Sequence, residues 1–163
     1  MVFGGQAVLL YGEPRLTRDI DITLGVAPDD SQPVFRVIQE LGLQILPKNA
    51  EEFLRETFVL PVTEPDSGIR VDFVFSLSQF ERTAIERAKT VLLGGVSVQF
   101  VSLEDLIVMK VIAGRPRDLE DAVSIIRKNP NLDGGHIEGW LQKFDAELDA
   151  DYSRVFRGLM TEI

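Results

Sequence analysis

Asp19 and Asp21 stand in the stretch Asp19-Ile20-Asp21-Ile22-Thr23-Leu24, where polar and apolar residues alternate. A strand of period two puts both carboxylates on one face and Ile20, Ile22 and Leu24 on the other. Two carboxylates side by side repel unless a cation lies between them. Mg²⁺ (or Mn²⁺) suits the pair, because a hard divalent ion takes carboxylate oxygens together with substrate phosphates. A third aspartate, Asp72, lies in Arg70-Val71-Asp72-Phe73-Val74-Phe75. Period two there puts Arg70, Asp72 and Val74 on one face, and a carboxylate among so many apolar neighbours needs its charge compensated. The plain alternative is a strand whose polar face is simply wet.

Upstream, Gly4-Gly5 lets a backbone approach a ligand with no Cβ in the way. Gln6 to Tyr11 then reads as a short helix whose first N–H groups could face an anion, with Gly12 ending it. A phosphate-cradling turn beside a cation-binding pair suggests a nucleoside triphosphate. Far downstream, Ser102-Leu103-Glu104-Asp105 reads as a capping-box-like start of a helix that runs to Ala113 and stops at Gly114. That helix is apolar nearly all round and should pack on more than one side. Lys110 falls on the face of Leu103 and Ile107, so its ammonium either snorkels to water or meets an anion. Asp118 and Asp121 begin the next helix, where capping by Asp118 and the helix dipole at Asp121 account for both.

The elements that must position these residues follow from pattern. Asp29-Asp30-Ser31 with Pro33 opens a helix whose apolar stripe is Val34, Phe35, Ile38 and Leu41, ending at Gly42. Leu43–Leu46 reads as a short strand and Ala50–Glu56 as a short helix. Phe58–Val62 pairs with Ile69–Phe75 across the turn-rich Glu64–Gly68. Phe80–Ala88 reads as a helix, and Thr90–Leu93 with Val96–Phe100 as a hairpin around Gly94-Gly95. The tail is helical, with stripes Ile137, Trp140, Leu141, Phe144 and Leu148, Tyr152, Val155, Phe156, Leu159, Met160. His136 reads as an exposed helix-start residue.

The string from Gly4 to Asp21 resembles the Gly-Gly then Asp-x-Asp signature of the nucleotidyltransferase superfamily. It is most similar to the AbiEii-like branch, which includes toxins of bacterial toxin–antitoxin systems. That branch writes Gly-Gly-x-Ala and then Arg-x-Thr-x-Asp-Ile-Asp, matched here by Gly4, Gly5, Ala7, Arg15, Thr17, Asp19, Ile20 and Asp21. The stretch Asp105–Lys110 through Arg115, Arg117, Asp118 and Asp121 looks like its second block, with Arg117 where the family usually has lysine. The resemblance implies an α/β (α+β) fold with a mixed central sheet flanked by helices at residues 1–101, and a helical C-terminal segment at 102–163. It implies Asp19, Asp21 and Asp72 as catalytic metal ligands, with Gly4, Gly5, Thr17 and Lys110 contacting the nucleotide. Family members carry a helix ahead of the Gly-Gly strand where this sequence has only Met1-Val2-Phe3, so a truncated or misassigned start is expected.

Composition bounds the function. The 163 residues are 45% apolar with charges dispersed, as in an ordinary folded domain, and there is no cysteine for a disulfide or thiolate metal site. A formal charge of −9 argues against a broad grip on a nucleic-acid backbone but leaves a small or local acceptor open. Nothing approaches a membrane span, so a cytoplasmic protein is the default expectation. The expected activity is transfer of a nucleoside monophosphate from a triphosphate to a hydroxyl on RNA, protein or a small molecule, with an antitoxin as a possible partner. The alternative is a catalytically inactive nucleotide-binding or partner-binding module of the same fold.

Overall fold

In the computed structural model, which describes residues 1–76 and 78–161, strand β1 (Val2–Phe3) leads straight into helix α1 (Gly4–Tyr11). The junction is made at Gly4, whose φ of +63° lies in the left-handed region that L side chains resist. Strand β2 (Asp19–Thr23), a 3-10 turn (Pro28–Asp30) and helix α2 (Gln32–Glu40) follow. Next come strand β3 (Gln44–Ile45), helix α3 (Ala50–Thr57), strands β4 (Val59–Thr63) and β5 (Arg70–Val74) and helix α4 (Gln79–Glu86). Strands β6 (Lys89–Leu93) and β7 (Val96–Phe100) precede helices α5 (Leu103–Ala113), α6 (Pro116–Lys128), α7 (Gly134–Leu148) and α8 (Tyr152–Thr161).

The chain forms two compact units. One comprises Met1–Gln6 and Leu16–Phe100; the other comprises Ala7–Arg15 and the chain from Val101 onward. Ala7–Arg15, although early in the sequence, therefore belongs with the C-terminal helices.

The first unit holds a seven-stranded mixed sheet in the order β3-β4-β5-β2-β1-β7-β6. β2 runs parallel to β5 and antiparallel to β1. Alternation along the strands sends Ile20, Ile22, Leu60, Val62, Val71 and Phe73 into one core with Ile38 of α2 and Leu54 of α3. Ile38, Leu54, Leu60 and Val62 are at most 1% exposed, and each such burial contributes about 1.5–3 kcal/mol. This face anchors the sheet and leaves the aspartates on the other. Leu41 departs from its expected stripe and is exposed, because it is the residue that caps α2 just as the chain turns at Gly42.

In the second unit α5 packs against α6, α7 and α8. Leu106, Ile107, Val108 and Val111 are buried, as an all-round apolar helix requires. The Ser102 side chain accepts from the Asp105 N–H, and Gly114 ends the helix at a φ of +61°. Leu148, Val155 and Met160, expected on the tail's apolar stripes, are exposed; Ile137, Leu141, Phe156 and Leu159 are buried. Among the described residues no helix is long and apolar enough to cross a membrane.

Candidate metal and nucleotide site

Strand register assembles the three aspartates. The parallel pairing of β2 with β5 sets Asp21 opposite Asp72 and Asp19 opposite Arg70, on the sheet face away from the α2–α3 core. One carboxylate oxygen from each of Asp19, Asp21 and Asp72 lies within 4.8 Å of the others, and all three residues are half-buried. Gly4 is what lets Asp21 sit there. A Cβ added at Gly4 would lie 2.0 Å from Asp21 Oδ2, so the Gly-Gly turn gives its space to this carboxylate. Gly5, the second residue of α1, is buried.

Two supporting residues emerge from the tertiary structure. Gln6 Nε2 donates to Thr17 Oγ1 at 2.6 Å and to the Asp19 carbonyl at 3.4 Å, tying α1 to the entrance of β2. Sequence reading named Thr17 and passed over Gln6, although Gln6 is the one polar side chain in the otherwise apolar Gly4–Leu10 run. Arg70 Nε donates to Asp72 Oδ1 at 2.7 Å. That hydrogen bond raises the arginine above its ordinary value; burial opposes the shift, and the negative fields of Asp72, Asp19 and Asp21 add to it. Period two had placed Arg70 on the face of Asp72, but only the folded strand brings the two together.

A family model described as "Nucleotidyltransferase of unknown function (DUF6036)" matches residues 1–133, a span that includes every candidate residue above. The chain belongs to this nucleotidyltransferase family. Among solved structures it is similar to an antigenic nucleotidyltransferase-like protein from Paracoccidioides brasiliensis, at 16% identity and a TM-score of 0.53, covering 96% of this chain and 83% of that one. At that identity the likeness is one of fold, and it agrees with the mixed α/β architecture expected. No curated protein matches the chain.

In this nucleotidyltransferase-family chain, Lys110 lies in the unit of the C-terminal helices and is 5% exposed. Its Nζ is 2.6 Å from Asp118 Oδ1 and 2.9 Å from Asp121 Oδ2, so it meets the protein's own carboxylates rather than reaching water. Arg15 grips Asp121 through Nε and Nη2, both at 2.8 Å, and Arg115 Nε donates to Asp118 Oδ2. Burial pushes both carboxyls up, but hydrogen bonds and charge from these cations outweigh it and hold Asp118 and Asp121 below the usual carboxylate range.

Asp118 is therefore not the expected N-cap. Pro116, with no N–H to leave unpaired and φ already helical, starts α6 with Arg115 as N-cap. Asp118 thereby falls inside the first turn. Arg117 pairs with Glu120 at the surface. His136, expected to be exposed, instead sets Nε2 2.6 Å from Asp105 Oδ1, and its side chain is 15% exposed. The hydrogen bond to Asp105, a wholly buried residue, holds it there.

Proposed function

We propose that this chain is a metal-dependent nucleotidyltransferase that moves a nucleoside monophosphate from a triphosphate to a hydroxyl acceptor. The convergence of Asp19, Asp21 and Asp72 carries the reading. A donor set of carboxylate oxygens alone suits Mg²⁺ or Mn²⁺, and the missing Cβ at Gly4 makes room for the Asp21 carboxylate. Asp19 and Asp21 would hold the ion, with Asp72 completing the set. When bound, the ion supplies charge neutralisation to the phosphate oxygens.

The chain's own groups do the rest. Backbone N–H groups at Gly4-Gly5, where α1 begins, orient the triphosphate, with Thr17 held at the same turn by Gln6. The acceptor oxygen bonds to the α-phosphorus, the bridging phosphorus–oxygen bond breaks and pyrophosphate leaves, while Asp72 takes the hydroxyl proton. Lys110 enters through the motif resemblance, and to reach a phosphate its ammonium would have to exchange Asp118 and Asp121 for it. The Gly4–Asp21 string also supports placement in the AbiEii-like branch, with a toxin-like role and an antitoxin partner.

The test is thermal melting with Mg²⁺ and each of the four nucleoside triphosphates, followed by incubation with triphosphate labelled at the α-phosphorus. A metal-dependent rise in melting temperature, lost in Asp19→Asn, and label on a hydroxyl acceptor are expected. No rise with any triphosphate overturns the reading. Binding without transfer to RNA, protein or small hydroxyl compounds would leave a nucleotide-binding module of the same fold.

A further inference from the structure

A cavity of about 610 Å³, within the size range of small-ligand sites, opens in the sheet-containing unit. Pro61 and Arg70 form one wall. Pro61 is the register partner of Asp72 across β4 and β5, and Arg70 is hydrogen-bonded to the Asp72 carboxylate. The sheet order sets Gly4 and β1 on one side of β2, and β5 and β4 with this cavity on the other. In an in-line displacement the attacking and leaving oxygens lie on opposite sides of the phosphorus. With pyrophosphate leaving at Gly4-Gly5, the attacking hydroxyl arrives from the side of the cavity.

The lining indicates the chemistry of the occupant. Phe53, half-open to solvent, offers a flat apolar surface for a planar ring. Lys48, which has no ion-pair partner among the described residues, and Arg70 supply positive charge for a phosphate. Glu52 and Glu56, one turn apart on α3, are acceptors for the amino and imino groups of a base edge. We infer that this cavity is the acceptor site and that it takes one ribonucleotide, presenting a ribose hydroxyl to Asp72. The inference rests on the transfer reading above for its catalytic role. The ribonucleotide is either a free mononucleotide or the 3′-terminal residue of an RNA, for which the site needs no extended basic track.

Isothermal titration of the full chain in chelator with AMP, CMP, GMP and UMP tests the site apart from transfer. At least one should bind. Phe53→Ala, and Phe53→Leu, which keeps the apolar bulk should the first variant misfold, should weaken it at least tenfold, and Lys48→Ala several-fold. No binding by any monophosphate, or binding indifferent to Phe53 and Lys48, overturns the site. Label transfer then separates the sources: label on free monophosphate, or on a short single-stranded RNA with a free 3′ hydroxyl but not on the same RNA with a 3′ phosphate. Label on protein or simple sugars instead overturns the ribonucleotide assignment. Monophosphate binding that depends on Phe53, in a chain that binds no triphosphate, would sink the transfer reading while keeping the cavity. Transfer unaffected by Phe53→Ala would do the reverse.

Discussion

Asp19, Asp21 and Asp72 bring three carboxylates together on a half-buried sheet face, whereas the buried Asp118 and Asp121 are met by the buried Lys110, by Arg15 and by the exposed Arg115. The residue type is the same in both places. In the network every carboxylate faces cations of the protein, and solvent is excluded from the pair at Lys110. On the sheet, three like charges converge with Arg70 paired to Asp72, where solvent and solutes can still enter. Charge that is balanced and buried holds structure together, and charge left convergent and accessible is suited to binding something from outside.

The sharpest way to break this contrast is Lys110→Met, which leaves Asp118 and Asp121 buried without their shared ammonium. Leaving a buried charge wholly unpaired costs about 3–5 kcal/mol; Arg15 and Arg115 still face these carboxylates, so chemical denaturation should show a fall in stability short of that figure, with the secondary structure retained in buffer. Unchanged stability together with weakened triphosphate binding would instead make Lys110 a nucleotide ligand. In the sheet cluster the sign should reverse. Asp19→Asn should melt in chelator at or above the wild-type temperature, because a repulsion is relieved. It should forfeit the stabilisation from Mg²⁺ and triphosphate, about 2.7 kcal/mol when ligand is at a hundred times its dissociation constant. A clearly lower melting temperature in chelator would mean that Asp19 is paired structurally.

Gly4→Ala joins both effects. The methyl would meet Asp21 Oδ2 at 2.0 Å with φ at +63°, and left-handed strain costs about 1–3 kcal/mol. The variant should lose stability in chelator and also respond less to metal. Gly42→Ala is the control, since its φ is +66° with open space around the added carbon: it should show the strain alone, with the metal response intact.

The smallest effect is on pH dependence. Carboxyls held below their ordinary value favour the folded state fully above the unfolded value of about 3.9 and lose that contribution as pH falls through the folded one. Asp118 and Asp121 are both lowered, so wild type should lose stability below about pH 4. Asp121→Asn, already weaker at neutral pH, should lose less over the same interval in acid titrations followed by circular dichroism. Parallel acid curves would show that Asp121 is not among the groups responsible.

What the sequence determined by itself is local: Asp19 and Asp21 on one face, the helix start at Ser102 and the stop at Gly114 each follow from backbone geometry within a few residues, whereas the expected Gly4-Gly5 turn is instead the opening of α1, with Gly4 alone of the two left-handed. These periods and caps survive whatever the rest of the chain does. The tertiary structure alone decided who meets whom. Asp21 stands opposite Asp72 because β2 and β5 pair in parallel register, a choice made by the whole sheet. Arg15 reaches Asp121 from far along the chain, and Lys110 is enclosed by α6 rather than extended to water. Asp105 holds His136 through a hydrogen bond across a separate helix. A side chain's charge is written in the sequence, but its partner depends on long-range closure of the chain, and for Lys110 that partner is a pair of carboxylates on the next helix.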